Sequence, residues 1–180
     1  MTILGFLAMV LSLQVIITDL YARRVSNKAL LAALGGGGVA LVALALASSV
    51  APGPHLLGLL LGLAALLPFH VIGWMGAGDV KYFAVLGFLL GHEALLPIWI
   101  GASLLAGLHV AAVHLARALV ALLPVRLMAL QHQAANHWHQ HALVQRVHAA
   151  RQGRVGIPYA AYLGIACIAW VAWMLAGARV

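Results

Sequence analysis

Asp19, Asp79 and Glu93 are the only acidic side chains in the 180 residues. Two carboxylates brought close together cannot both ionise cheaply, so one keeps its proton. The ionised member can take a proton from a water as it attacks a peptide carbonyl, while the protonated member gives its proton to the carbonyl oxygen. Such a hydrolysis needs no metal, no cofactor and no covalent intermediate. Asp79 lies in GAGDVKYF at 76–83. Gly76 and Gly78 carry no side chain, so an extended peptide backbone can approach closely there, and a helix can start abruptly and aim the aspartate. Each acid also has a plainer role available. Asp19 is four residues before Arg23, on the same helical face, and can form an ion pair with it. Asp79 can cap a helix.

The elements that must position these acids follow from composition. Of the chain, 65% is apolar and only 7% charged, against about half and about a quarter in soluble domains. Thirteen charged side chains cannot coat a soluble fold of this size, which excludes an ordinary cytosolic enzyme or a nucleic-acid-binding domain. The net charge of +7 fits the flanks of membrane spans instead. A helix needs roughly 20 apolar residues to cross a bilayer core. Residues 2–18, 29–51, 53–75 and 155–178 supply four such runs, and 82–116 is a long fifth run broken at Gly91-His92-Glu93. If 82–116 crosses twice, nine of the ten basic residues fall on one side, with only Arg179 opposite, as the preference for positive cytoplasmic loops demands. The expectation is six spans with both termini outside. Residues 80–92 would reach only about 20 Å, so the fourth span is expected to be a shortened or tilted helix continuing towards Pro97. The first run lacks a basic n-region and a small-residue cleavage site, so it reads as an uncleaved span. Asp19 then closes the first span and Asp79 opens the fourth, both at the cytoplasmic face, about one turn from the aqueous loops.

Residues 117–154 are the one substantial non-membrane segment. Leu127, Leu130, Ala134, Trp138, Ala142 and Gln145 recur at helical spacing opposite positions rich in His, Gln and Arg. A basic amphipathic helix on the inner leaflet is expected. His137 and His141 have metal-ligand spacing, with His132, His139 and His148 nearby, yet no acid or thiol completes a mixed site. No metal site is assigned. Ser103 has no nucleophile motif around it. Cys167 has no partner for a disulfide. Arg23, Arg24 and Lys28 serve the positive-inside pattern and can also meet substrate or anionic lipid. Lys81, two residues from Asp79, can bias the pair's ionisation. Asn27 can brace the loop beside Asp19 or cap the second helix, and Gly35 to Gly38 permit close packing or a kink.

Three segments resemble type IV prepilin peptidases, membrane aspartic proteases of the GxGD type. DLYARRVSNKAL at 19–30 is similar to that family's aspartate, basic residue and Ile-Pro-Asn pattern. GAGDVKYFAVLG at 76–87 fits its GxGD-x-K pattern. GIPYAAYLGIA at 156–166 is similar to its Ile-Pro-Tyr-Gly-Pro start of the last span. The departures are Ser26 for a usual Pro, and Ala160 and Ala161 for Gly and Pro. The resemblance implies that Asp19 and Asp79 are the catalytic pair. It makes Gly76, Gly78, Lys81, Arg23, Arg24, Asn27, Pro158 and Tyr159 the residues that bind substrate or shape the site. It further implies cleavage of a basic leader from prepilins or pseudopilins at the inner membrane's cytoplasmic face. Without paired CxxC motifs, the chain resembles the short, peptidase-only form associated with Tad/Flp pili, and methylation of the new terminus is not expected.

The expectation is therefore an all-α, polytopic protein, a single membrane domain over 1–180 with about six transmembrane helices. Its partners are a prepilin and membrane lipids, with no nucleic acid. The competing readings are a proton- or ion-coupled transporter, in which the aspartates bind ions, and a non-catalytic scaffold of a pilus or secretion machine.

Overall fold

Uncharged runs rich in Leu and Ala satisfy their backbone polar groups internally by coiling, as a lipid environment requires. The computed structural model describes residues 3–47, 51–121, 142–152 and 156–177. Its helices are α1 (Ile3–Ala22), α2 (Asn27–Leu46), α3 (Gly53–Val71), α4 (Ala77–Leu90), α5 (Leu95–Ala121), α6 (Ala142–Arg151) and α7 (Tyr159–Gly177), with a 3-10 turn at His92–Ala94. No strand occurs among the described residues. Helices α1, α2, α3 and α7, and the stretch His92–Ala121 that contains α5, are long and apolar enough to cross a membrane. The chain is an all-α, polytopic membrane protein.

Helix α4 is the exception in length and the centre of the bundle. Its 14 residues span about 21 Å, well short of a bilayer core. It differs from the expected fourth span at both ends. It starts at Ala77, because Gly76 is extended and caps it. It stops before Gly91 instead of running on to Pro97. Gly91 has φ 86°, a left-handed conformation that suits glycine, and its amide donates to the Gly87 carbonyl at 2.9 Å. Val80 and every residue from Tyr82 to Leu89 are buried, and α1, α2, α3 and α7 all pack against α4. A helix covered on all sides is apolar all round. With longer helices around it, α4 need not reach both membrane surfaces itself.

Missing side chains set the closest approaches. A Cβ on Gly58 of α3 would lie 2.1 Å from the Gly87 carbonyl oxygen of α4, and one on Gly62 would lie 2.9 Å from the Ala84 Cα. Small residues four apart let two membrane helices meet backbone to backbone. Gly164 of α7 plays the same part against Ser12 and Ile16 of α1. Of the glycine run in α2, Gly37 faces Phe88 and Leu89 of α4, while Gly35, Gly36 and Gly38 face open space. The run therefore serves packing at one position.

Polar contacts also link the helices, among them two made between side chains. Tyr82 of α4 donates to Ser12 Oγ of α1 at 2.7 Å, and Ser12 donates onward to the Ala8 carbonyl at 2.7 Å. Ser103 Oγ of α5 and the Tyr159 hydroxyl of α7 are 3.2 Å apart. Helix α5 continues through Arg117 to Ala121, so the helical element extends into the segment expected to begin at 117. Residues 122–141, with Leu127, Leu130, Ala134, Trp138 and the histidines at 132, 137, 139 and 141, lie outside the described residues. Ala142 and Gln145 fall on α6, which packs against α1.

Candidate active site

Helix α1 ends where its basic loop begins. Arg23 takes a left-handed turn at φ 54°, and its amide donates to the Asp19 carbonyl at 3.0 Å, closing the helix in the manner of a left-handed cap. This leaves the Asp19 side chain in the last turn, only 7% exposed. A buried carboxylate needs a partner. The partner is backbone: the Ala161 amide of α7 donates to Asp19 Oδ2 at 3.0 Å. The expected ion pair with Arg23 does not form. The Arg23 guanidinium donates instead to the Gly156 carbonyl, while contributing positive potential at Asp19 together with Arg151.

Asp79 sits in the first turn of α4 and does cap it: Oδ2 accepts the Gly76 amide at 3.2 Å. The capping role and the proximity to Asp19 coexist. The carboxylate also lies near the Ala160 amide and within electrostatic reach of Asp19. Ala160 and Ala161 are the second and third residues of α7, where backbone N–H groups have no partner within the helix and the helix dipole favours negative charge. Pro158 comes just before them and its carbonyl accepts the Tyr162 amide at 3.3 Å, which marks the helix start. The first turn of α7 thus holds Asp19 through the Ala161 amide and sets the Ala160 amide near Asp79, 60 residues away in sequence.

A cavity of about 550 Å³ opens over the pair. Asp19, Arg23, Arg24 and Asn27 line it from the end of α1 and the start of α2; Gly76, Gly78, Asp79 and Lys81 line it from α4 and the turn before it. All eight were expected from sequence. Gly78 is closed from behind by Val25, whose Cβ would lie 3.1 Å from an added Cβ. The last segment contributes Gly156 and Ile157 to the lining, in place of the expected Pro158 and Tyr159. Pro158 is buried, and the Tyr159 hydroxyl reaches Ser103. Sequence reasoning missed the two alanines because their side chains carry no chemistry. The available signal was the Pro in GIPYAA, since Pro favours a helix start.

The loop around the site is fastened from several directions. Arg24 donates to Gln152 Oε1, and Arg151 of α6 donates to the Leu20 carbonyl at 2.8 Å.

The model of the type IV leader peptidase family matches residues 6–111, more than half of the chain. The chain belongs to the type IV leader peptidase family. The match runs from within α1 into α5 and includes both aspartates. The start of α7, which supplies the amides, lies beyond it. Neither the comparison with curated proteins nor that with solved structures yields a match. Membership makes the protein peptidase-like in kind.

Proposed function

We propose that the protein is an aspartic endopeptidase that removes the basic leader from a type IV prepilin or pseudopilin at the cytoplasmic face of the inner membrane. The reading rests above all on one observation: the only two aspartates of the chain line one cavity, with Asp19 held there by the Ala161 amide of α7. In the proposed cycle the pair carries one proton. The ionised carboxylate takes a proton from water as the water oxygen bonds to the scissile carbonyl carbon. The other carboxylic acid gives its proton to the carbonyl oxygen, forming a neutral diol. A proton then passes to the leaving nitrogen, the C–N bond breaks, and a carboxylic acid and an amine leave. The Ala161 amide holds Asp19, and the Gly76 amide holds Asp79, in place at the cavity, the kind of preorganisation that favours reaction. Gly76 and Gly78 give an extended backbone room to lie across the pair.

Purified protein in detergent is incubated with a prepilin, and the new N-terminus is read by mass spectrometry. The expected result is leader removal by the wild type and none by Asp19→Asn or Asp79→Asn. Full cleavage by either variant overturns the two-acid mechanism. Ion-dependent flux in liposomes without any cleavage supports the transporter reading instead.

A further inference from the structure

A leader peptide is followed by an apolar helix, and a cavity lined by Asp19, Arg23, Arg24, Asp79 and Lys81 is too polar to suit one. An apolar groove of about 490 Å³ lies between α2 and α3, floored by Ala84 and Val85 of α4. Its walls carry Leu31 and Leu34 from α2, and Leu60 and Leu63 from α3. Leu31 is 68% and Leu60 63% exposed. The gap has a structural cause. Helix α3 is held tightly to α4 at Gly58 and Gly62, and α2 rests on α4 at Gly37, so both hold the central helix and stand apart from each other.

Asn27 and Lys81 line this groove and also the aspartate cavity. The two spaces are thus one path, apolar and then polar. Other grooves of comparable size, between α3 and α5 and between α5 and α7, share no lining residue with the cavity. On the α2 wall the path runs from Asn27 to Leu34, about 12 Å or two turns of helix. Scattered lipid-facing leucines would require no concavity, and none that ends at the acids.

Resting on the peptidase reading above, we propose that the α2–α3 groove seats the first two turns of the substrate's apolar helix. The residues before that helix then cross Asn27 and Lys81 in extended form and reach Asp19 and Asp79. The substrate would come in sideways from the lipid between α2 and α3.

The test places a benzophenone maleimide on Leu31→Cys or Leu60→Cys in full-length protein carrying Asp79→Asn, mixed with a prepilin in bilayers of defined phospholipid. Leu96→Cys and Leu104→Cys, equally exposed in the other two grooves, serve as controls. The native Cys167 is buried. Cross-links from positions 31 and 60 to the first turns of the prepilin's apolar helix are expected, at least tenfold above the controls. Equal labelling at all four positions, or phospholipid alone captured at 31 and 60, overturns the groove proposal. Wild-type cleavage is measured in parallel. A cleaving wild type with cross-links at the control positions sinks only the groove. A wild type that cleaves no prepilin of a panel sinks the peptidase reading, and the groove with it. As a kinetic arm, Leu60→Trp should lower kcat/KM for full-length prepilin at least tenfold more than for a soluble peptide spanning only the junction. An equal effect on both substrates counts against the groove.

Discussion

At its first turn α4 carries a carboxylate that accepts the Gly76 amide near the start of α7; two turns later it carries Gly87, which meets Gly58 of α3 backbone to backbone. The first contact is polar and made by groups added to the chain. The second is apolar and made by groups left out. In the first, charge and hydrogen bonding decide which atoms face each other, so an isosteric change alters chemistry while the shape survives. In the second, shape is everything, and a single methyl group is felt throughout the pairing.

The strongest way to break this comparison is at the polar end. Asp19→Asn and Asp79→Asn are each expected to lower the rate of leader removal by about 10³-fold or more. Each should still insert and unfold near the wild-type temperature, because the amide oxygen of Asn can still accept from the backbone. Rate and thermal unfolding in detergent are both read. A variant that unfolds early would make the aspartates structural. At the apolar end, Gly87→Ala is expected to cost about 1–3 kcal/mol or more through overpacking, since the new Cβ would lie 2.2 Å from the Gly58 carbonyl oxygen. Thermal unfolding measures it, and an unchanged midpoint would show that α3 can slide. Between the two ends, Tyr82→Phe removes the donor to Ser12 while Ser12 keeps its bond to Ala8; about 1 kcal/mol of stability is expected to be lost, with kcat preserved. Gly36→Ala, which faces open space, is the smallest case. It should leave the unfolding midpoint unchanged or raise it slightly, as helix propensity favours Ala over Gly by about 1 kcal/mol.

The same contrast explains what could be read from the sequence. Long uncharged runs ending at charges or at Gly and Pro gave α1, α2, α3 and α7 to within a few residues, because burial of backbone in lipid leaves helices as the available form for such runs. Asp19 and Asp79 stood out through scarcity, and their cavity neighbours from Arg23 to Lys81 through the motifs around them. The break between α4 and α5 was visible at Gly91, but its sharpness was not, because it depends on a left-handed conformation that several packed helices enforce. Gly58, Gly62, Gly87 and Gly164 were legible only as generic small residues: which glycine faces a neighbour is a property of helix rotation, set by tertiary contacts. The Ala160 and Ala161 amides were illegible for a deeper reason. Every residue but proline has that donor, and only the place where a helix begins makes it free to hold an acid.

The dependence of Asp19 on the start of α7 has a consequence for biosynthesis. Ribosomes deliver α1 and α4 to the membrane well before α7 is made. During that interval Asp19 lacks the Ala161 amide that is its hydrogen-bond partner. On the peptidase reading proposed above, cleavage is expected only once the helix that follows the basic loop has been inserted.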